Sequence, residues 1–137
     1  MSYRDDWFDI EQLHRAAQSG NSMEVERLLI EGFNINLFDD VSRTPLHYAV
    51  EEQHCAVAAL LMERGADVNA HDEEKIGETA LSFAVQKDSV EMVKFLLMHG
   101  ANPHIIGWMG ATAWSRVQGR TDDVGKKIFA ILVQYDA

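Results

Sequence analysis

The chain has 137 residues, of which 47% are hydrophobic and 25% charged, so it holds enough apolar side chains for the core of one globular domain. Its formal net charge is −10, and the acids are concentrated in residues 1–78, which hold 17 acids and 6 bases against 5 and 6 in residues 79–137. An acidic surface repels phosphate and anionic lipid headgroups, so we expect neither a nucleic acid nor a membrane as the partner.

The lack of a visible targeting signal and the single cysteine both favour a cytoplasmic location. The N-terminal stretch "MSYRDDWFDIEQ" has no apolar segment of the kind that a signal peptide requires. No run approaches the roughly 18 apolar residues of a membrane-spanning helix. The single cysteine, Cys55, cannot form an internal disulfide and favours a reducing compartment. We therefore predict a cytoplasmic protein.

Short helices are predicted at a nearly constant spacing along the chain. "LHRAA" begins at Leu13, "LHYAV" at Leu46 and "LSFAV" at Leu81, the last interval being slightly longer than the first. A fourth, weaker copy places Trp114 at the matching position, after an interval equal to the first. Threonine before the second and third of these helices is a good N-cap, and Pro45 is tolerated in the first helical turn. The spacing predicts a repeated structural unit.

A second helix is predicted in each copy, after a short turn. Glycine ends it at Gly32, Gly65 and Gly100, as expected for a left-handed C′ position. One such unit cannot bury its own apolar face, whereas stacked units can, so the pattern predicts a solenoid. The apolar residues at positions i, i+3 and i+4 share one helical face, and they are Val25, Leu28 and Leu29; Ala58, Leu61 and Met62; Val93, Leu96 and Leu97; and Ile128, Ile131 and Leu132.

The repeated pattern resembles that of the ankyrin repeat family over about residues 9–135. The resemblance implies an all-α repeat solenoid, in which stacked helix-turn-helix repeats are joined by β-hairpin-like loops. We expect a single domain over residues 1–137, with repeats at about 5–37, 38–70, 71–105 and 106–137. The residues that carry the match are Thr44-Pro45-Leu46-His47, Ala49, Leu61 and "GADVNA" in the second copy, and Gly77, Thr79, Leu81, Ala84, Val93, Leu96, Leu97 and "GANP" in the third.

The histidines are interpreted as structural rather than as metal ligands. In the family, the histidine at the position of His47 bridges the threonine side chain and neighbouring backbone, and His14 occupies the same place in the first copy. Stacked repeats would hold these two rings roughly 10 Å apart, too far for one zinc ion, whose ligands lie about 2 Å from the metal. The sequence also lacks CxxC and HExxH spacings. We therefore predict no metal and no cofactor.

Catalysis is not predicted either. Cys55 has only His54 as a base near it in sequence, and side chains at positions i and i+1 of a helix point apart, so Cys55 is interpreted as a small packing residue. The sequence has no GxSxG motif and no Gly-rich phosphate loop. Trp114 replaces a core leucine of the repeat and is predicted to be buried. We expect no enzyme activity and no catalytic residue.

The predicted partner-binding residues follow from the register of the repeats. In the family, the free surface is a concave groove made from hairpin tips and the exposed ends of the first helices. The tips fall at Trp7-Phe8, Asp40-Val41, Lys75-Ile76 and Trp108-Met109, at the same intervals as the first helices. The first helices and the long loop "HDEEKIGE" add the remaining predicted contacts: Tyr48, Glu51, Glu52, Lys87, Arg120, Glu73, Glu74 and Glu78.

Two alternatives stay open for these residues. Trp108 would belong to the core, and not to a binding surface, if it folded back on the third repeat. Trp7 and Phe8 would also be structural if they covered the open end of the first repeat. The acids would have no partner if they formed a solvated charged face, since acidic loop tips often have no function beyond solubility.

The resemblance implies a non-catalytic protein-protein interaction module. The acidic groove favours a basic protein segment as the partner, held by carboxylates around aromatic or methionine anchors. A narrower hypothesis, based on size and charge alone, is an immunity protein that inhibits a basic bacterial toxin. The alternative is a structural role, in which the apolar C-terminal helix "KKIFAILVQY" pairs two copies of the chain as a homodimer.

Overall fold

The computed structural model describes residues 10–75 and 77–136. Trp7, Phe8 and Ile76, which the sequence predicts as tip residues, lie outside the described residues. The described part of the chain is helical and contains no β-strand. Its helices are α1 Gln12–Ser19, α2 Ser22–Ile30, α3 Pro45–Glu51, α4 Cys55–Glu63, α5 Ala80–Gln86, α6 Val90–Met98, α7 Ala113–Val117 and α8 Asp123–Asp136, with a 3₁₀ turn at Trp108–Gly110.

The helices group into two compact units, Met1–Asp67 and Val68–Ala137. In the first unit, α1 packs on α2 and α3, and α4 packs on the same two helices. In the second unit, α5 and α8 each pack on α6 and α7 in the same way. Each unit therefore stacks two helix pairs, which confirms the helical repeat architecture. The arrangement of residues 1–137 as a single domain stays a prediction.

Threonine begins the first helix of the second and third repeats, as the sequence predicts. His47 Nδ1 accepts a hydrogen bond from the Thr44 backbone N–H at 3.0 Å and lies 2.8 Å from Thr44 Oγ1. Thr79 Oγ1 accepts from the Ser82 N–H at 3.2 Å. These bonds satisfy groups that a helix start would otherwise leave unpaired. Both Thr44 and His47 are buried, and the interpretation of His47 as structural is confirmed.

Glycine ends the second helix of the first three repeats. Gly32, Gly65 and Gly100 have φ of 98°, 97° and 90°, a region that costs other residues steric strain. The Phe33 N–H donates back to the Leu28 carbonyl at 3.2 Å, and the other two helices end with the same bond. This pattern is the Schellman motif, which turns the chain sharply out of the helix and towards the next repeat.

The predicted apolar faces of the second helices form the core of each unit. Their burial removes apolar surface from water at about 25 cal/mol per Å², which is the main source of stability in a repeat without disulfides. The buried members are Val25, Leu28, Ala58, Leu61, Val93, Leu96, Leu97, Ile128 and Leu132, while Leu29, Met62 and Ile131 are half-buried at the edge.

Two packing predictions were wrong. Cys55 is exposed, because it is the first residue of α4 and lies off the face that carries Val57 and Ala58 into the core. Trp114 is only half-buried. Its indole is larger than the leucine that it replaces, and it lies against the Phe129 ring with centroids 5.0 Å apart at the edge of the second unit.

An asparagine joins successive repeats within each unit, a contact that the sequence reading missed. Asn36 Oδ1 accepts from the Asp67 N–H at 2.8 Å, and Asn36 Nδ2 lies 3.5 Å from the Gly65 carbonyl oxygen. Asn69, at the matching position of the next repeat, makes the same two contacts in the second unit, at 2.7 and 3.1 Å. We call this pair of bonds the asparagine clasp.

A matched pair of glycine substitutions tests the packing of the first unit. A Cβ added at Gly20 would lie 2.7 Å from His54 Nδ1, whereas one added at Gly32 would meet nothing within 4 Å, and both residues have positive φ. Gly32→Ala should cost only the backbone strain, about 1–2 kcal/mol. Gly20→Ala should cost roughly 1–3 kcal/mol more, because His54 must move and lose its bond to the Gln18 carbonyl.

Urea unfolding monitored by circular dichroism measures both costs. Adding His54→Ala to Gly20→Ala should remove the overlap, so the double variant should lose less stability than the two single losses added together. Equal costs for Gly20→Ala and Gly32→Ala would contradict this account of the packing.

Candidate protein-binding surfaces

The hairpin tip of the first unit is organised by one carboxylate. Asp39 N–H donates to the Arg43 carbonyl at 2.9 Å across the turn. Asp39 Oδ1 accepts from the N–H groups of Val41 and Arg43 at 3.1 and 3.0 Å, and Oδ2 accepts from the Tyr48 hydroxyl. Asp39 is therefore used inside the turn, and Asp40 and Val41 are left exposed at the tip, with Val41 62% exposed.

Several first-helix residues predicted as partner contacts are engaged within the first unit. Tyr48 is half-buried, and burial together with its bond to the Asp39 carboxylate raises the pKa of its hydroxyl. Glu51 pairs with Arg43, whose guanidinium lies 5.6 Å from the centroid of the Tyr48 ring. Glu52 is exposed. Of these three predicted contacts, Glu52 is therefore the one that presents its charge to solvent.

Three carboxylates gather beside this tip. Oxygens of Glu11, Asp39 and Asp40 lie within 4.8 Å of one another, the one group of three or more possible metal-ligating side chains in residues 10–75 and 77–136. Burial, and then the charges of Asp40 and Asp39, raise the pKa of Glu11. The repulsion makes the place attractive to a positive charge, although exposed carboxylates alone do not define a metal site.

The long loop of the second unit is closed at its base by Asp72. The Asp72 carbonyl accepts from the N–H groups of Lys75 and Gly77 at 3.2 and 2.8 Å, and its carboxylate accepts from the Glu74 N–H at 3.2 Å. The loop therefore folds over Asp72, and Glu73, Glu74 and Lys75 are exposed. These three residues lie where the sequence reading predicts a tip.

Glu78 differs from the other predicted acids. Its side chain is only 12% exposed and pairs with Arg116 at 2.7 Å. The same carboxylate accepts the backbone N–H of Trp108 at 2.9 Å. The repeat register predicts Glu78 on the binding surface, but in the structure Glu78 holds the loop against the hairpin of the fourth repeat.

The hairpin tip of the second unit presents large apolar side chains. Gly107 N–H donates to the Ala111 carbonyl at 2.8 Å and closes the turn. Trp108 is 60% exposed and Met109 84% exposed, and Met109 has φ of 58°, which is unusual for a residue with a side chain. Trp108 therefore does not fold back into the core. Ile106, which the sequence reading missed, is 64% exposed on the same hairpin.

Of the two basic residues on or just after the first helices that are predicted as partner contacts, one is exposed and the other is paired within its unit. Lys87 is exposed. Arg120 binds Asp88 at 2.7 Å and Asp122 at 2.9 Å, and both hydrogen bonds raise the pKa of its guanidinium. The bond from Arg120, with that from the Gly125 N–H, lowers the pKa of Asp122 to about 2. Arg120 thus stabilises the start of α8 rather than standing free for a partner.

The predicted contacts consequently fall into three groups. Trp7, Phe8 and Ile76 lie outside the described residues, and Tyr48, Glu51, Glu78 and Arg120 are engaged inside their own unit. The remaining predicted contacts are exposed: Asp40, Val41, Glu52, Glu73, Glu74, Lys75, Lys87, Trp108 and Met109.

The stacked helix pairs with their capped turns define a helical repeat protein, and comparison with known families identifies which family it is. A family model described as ankyrin repeats, in three copies, matches residues 13–107. The chain belongs to the ankyrin repeat family. Ankyrin repeats generally mediate protein-protein interaction and are generally not enzymes. None of the helices that the structure describes is long and apolar enough to cross a membrane.

Relatives come from varied sources. The chain is 37% identical to a putative ankyrin repeat protein of fowlpox virus over 90 residues. The aligned segment covers 66% of this chain and 20% of the viral protein. It is 42% identical over 77 residues to the mouse B-cell lymphoma 3 protein homolog, 56% of this chain and 17% of that one. It is 35% identical over 120 residues to the rice BTB/POZ domain and ankyrin repeat-containing protein NPR5, 87% of this chain and 23% of that protein. The chain thus spans about a fifth of the length of these relatives.

Proposed function

We propose that the chain is a non-catalytic module that binds a basic segment of a partner protein through its hairpin tips. The observation that carries this proposal is the exposure of carboxylates and large apolar side chains at the tips, while neighbouring charged groups are paired inside the units. Exposed carboxylates attract basic partners over distances of about a Debye length, roughly 8–10 Å, and speed their encounter.

Each unit carries candidate contacts of its own. The first carries negative charge, from Asp40 and Glu52, with Val41 next to Asp40 in the hairpin tip. The second contributes Trp108 and Met109, residue types that are enriched among the anchors of protein interfaces, with further negative charge from the loop that carries Glu74. Trp7, Phe8 and Ile76 belong to the proposed surface by their register in the sequence alone.

A narrower form of the proposal is an immunity protein that inhibits a basic toxin. It is supported by the net charge of −10, and by nothing more specific in the tips. The identity of a captured partner decides it.

Charge reversal tests the proposed surface. Asp40→Lys, Glu52→Lys and Glu74→Lys together should weaken the binding of a captured basic partner about tenfold, because each exposed charge contributes up to about 1 kcal/mol. The dependence of affinity on salt should also flatten. The partner is first isolated from a lysate of the cells that produce the chain, at low and moderate salt, and the affinity is then measured by calorimetry with the purified partner.

The matched control reverses Glu63, Glu91 and Asp123, three exposed acids on the second helices, and changes the net charge by the same amount. Circular dichroism confirms that both triple variants are folded. If the two variants bind the partner equally well, net charge alone attracts it and the tips are not the binding surface.

A second candidate function is self-association through α8. The observation in its favour is the partial exposure of Val124, Val133 and Tyr135, at 39%, 46% and 40%. If α8 pairs two copies, sedimentation at high concentration should show a dimer that Val133→Glu returns to monomer. A profile that is strictly monomeric at high concentration would remove this alternative.

A further inference from the structure

An open cleft lies beside the apolar tip of the second unit. Its volume is about 700 Å³, which is room for a long side chain and the backbone that carries it. The walls are mainly apolar, from Ile105, Ile106 and Met109, and the charged residue in the lining is Glu73. Apolar walls with one carboxylate at the edge match a ligand that is apolar along its length and positive at its end.

The hairpin wall of this cleft is held in place before any ligand arrives. Glu78 binds both Arg116 and the Trp108 N–H, which fixes the loop of the third repeat to the hairpin of the fourth. A Cβ on Gly107 would lie 3.1 Å from the Glu78 carboxylate, so the backbone approaches it closely. Met109 is kept at φ of 58° although it is highly exposed, a strain of the kind that concentrates at binding sites. A preformed wall lowers the entropy lost on binding.

Two histidines also line the cleft, and one of them, His71, lies close to Glu73. His71 Nδ1 lies 3.0 Å from the Asn69 carbonyl oxygen, which can only accept, so Nδ1 carries the proton. His71 Nε2 then lies 3.5 Å from Glu73 Oε1. His104 Nε2 lies 3.0 Å from Asp136 Oδ1. The side chain of Glu73 is 83% exposed, so its carboxylate is accessible to a cation from outside.

We propose that this cleft binds one arginine or lysine side chain of the partner, with the aliphatic stem against Ile106 and Met109 and the cationic head on Glu73. The inference rests on the proposed function, which it makes specific at one contact. Charge complementarity favours this occupant over a wholly apolar side chain, because an apolar group would cover Glu73 without pairing it. Lys75 is exposed on the same loop but does not line the cleft.

Small probe molecules distinguish the contribution of the aliphatic stem to binding from that of the cationic head. Butylguanidinium, which has both, is titrated into the ¹⁵N-labelled chain at pH 8 and followed by amide chemical shifts, with butanol and guanidinium as matched probes. Butylguanidinium should shift the amides of residues 105–110 and bind at least about threefold more tightly than either matched probe. Glu73→Gln should weaken butylguanidinium about three- to fivefold and leave butanol unchanged. Met109→Ala should weaken both.

Glu91→Gln is the control, because Glu91 is exposed on α6 and does not line the cleft, and it should change nothing. Well-dispersed amide spectra show that each variant is folded. Equal binding of butanol and butylguanidinium, with no effect of Glu73→Gln, would replace the proposal with a purely apolar docking cleft. An absence of shifts at residues 105–110 would overturn it altogether. Either result would leave the proposed function intact if the Asp40, Glu52 and Glu74 reversal still weakens the partner.

Discussion

The structure of each unit depends on one constraint. The backbone N–H and C=O groups of a loop between repeats must form hydrogen bonds with the repeat before it. The Asn36 and Asn69 clasps meet that constraint, each accepting an N–H two residues beyond a helix-ending glycine and facing the carbonyl of that glycine. Only a carboxamide offers a donor and an acceptor side by side in this way. A shorter or apolar side chain would lose both bonds, which at these exposed positions are worth about 0.5–1.5 kcal/mol each.

Histidines extend the same principle to the helical side of the stack. His14 Nε2 lies 2.7 Å from the Leu37 carbonyl oxygen and His54 Nε2 lies 3.0 Å from that of Gln18, so both rings donate across to a neighbouring segment of the first unit. His47 closes the start of α3. These three histidines thus form hydrogen bonds within the first unit. The acids and apolar residues of the tips, in contrast, are exposed to solvent. The backbone of each tip is hydrogen-bonded by a carboxylate that is not itself exposed, Asp39 in the first unit and Glu78 in the second.

The repeat could be predicted from the sequence because its signals are local and periodic. Thr44 with His47, and the glycines at Gly32 and Gly65, each specify a helix end through neighbours a few residues away. The exposure of Asp40-Val41 and Trp108-Met109 followed from register alone. The clasp also has a signal in the sequence, since Asn36 and Asn69 each stand four residues after a helix-ending glycine, Gly32 and Gly65.

The pairings of charged residues could not be predicted, because they depend on side chains far apart in the sequence. Glu78 and Arg116 are 38 residues apart, and Arg120 and Asp88 are 32 apart. The local sequence around Glu78 does not distinguish this paired residue from the exposed Glu73 and Glu74. The same holds for the cleft beside Met109, which exists only because the loop of one repeat is held against the hairpin of the next.

Hydrogen exchange of single backbone amides tests the clasp most directly. Asn36→Ala should speed exchange of the Asp67 amide about fivefold or more, and Asn69→Ala should do the same for the Asn102 amide, because each loses the bond that protects it, worth about 1 kcal/mol. The Ala66 amide, which donates to the Leu61 carbonyl at 2.9 Å, should stay protected in the Asn36 variant and serves as the internal control. Unchanged exchange at Asp67 and Asn102 would contradict the account, since the loops would then keep their register without the asparagines.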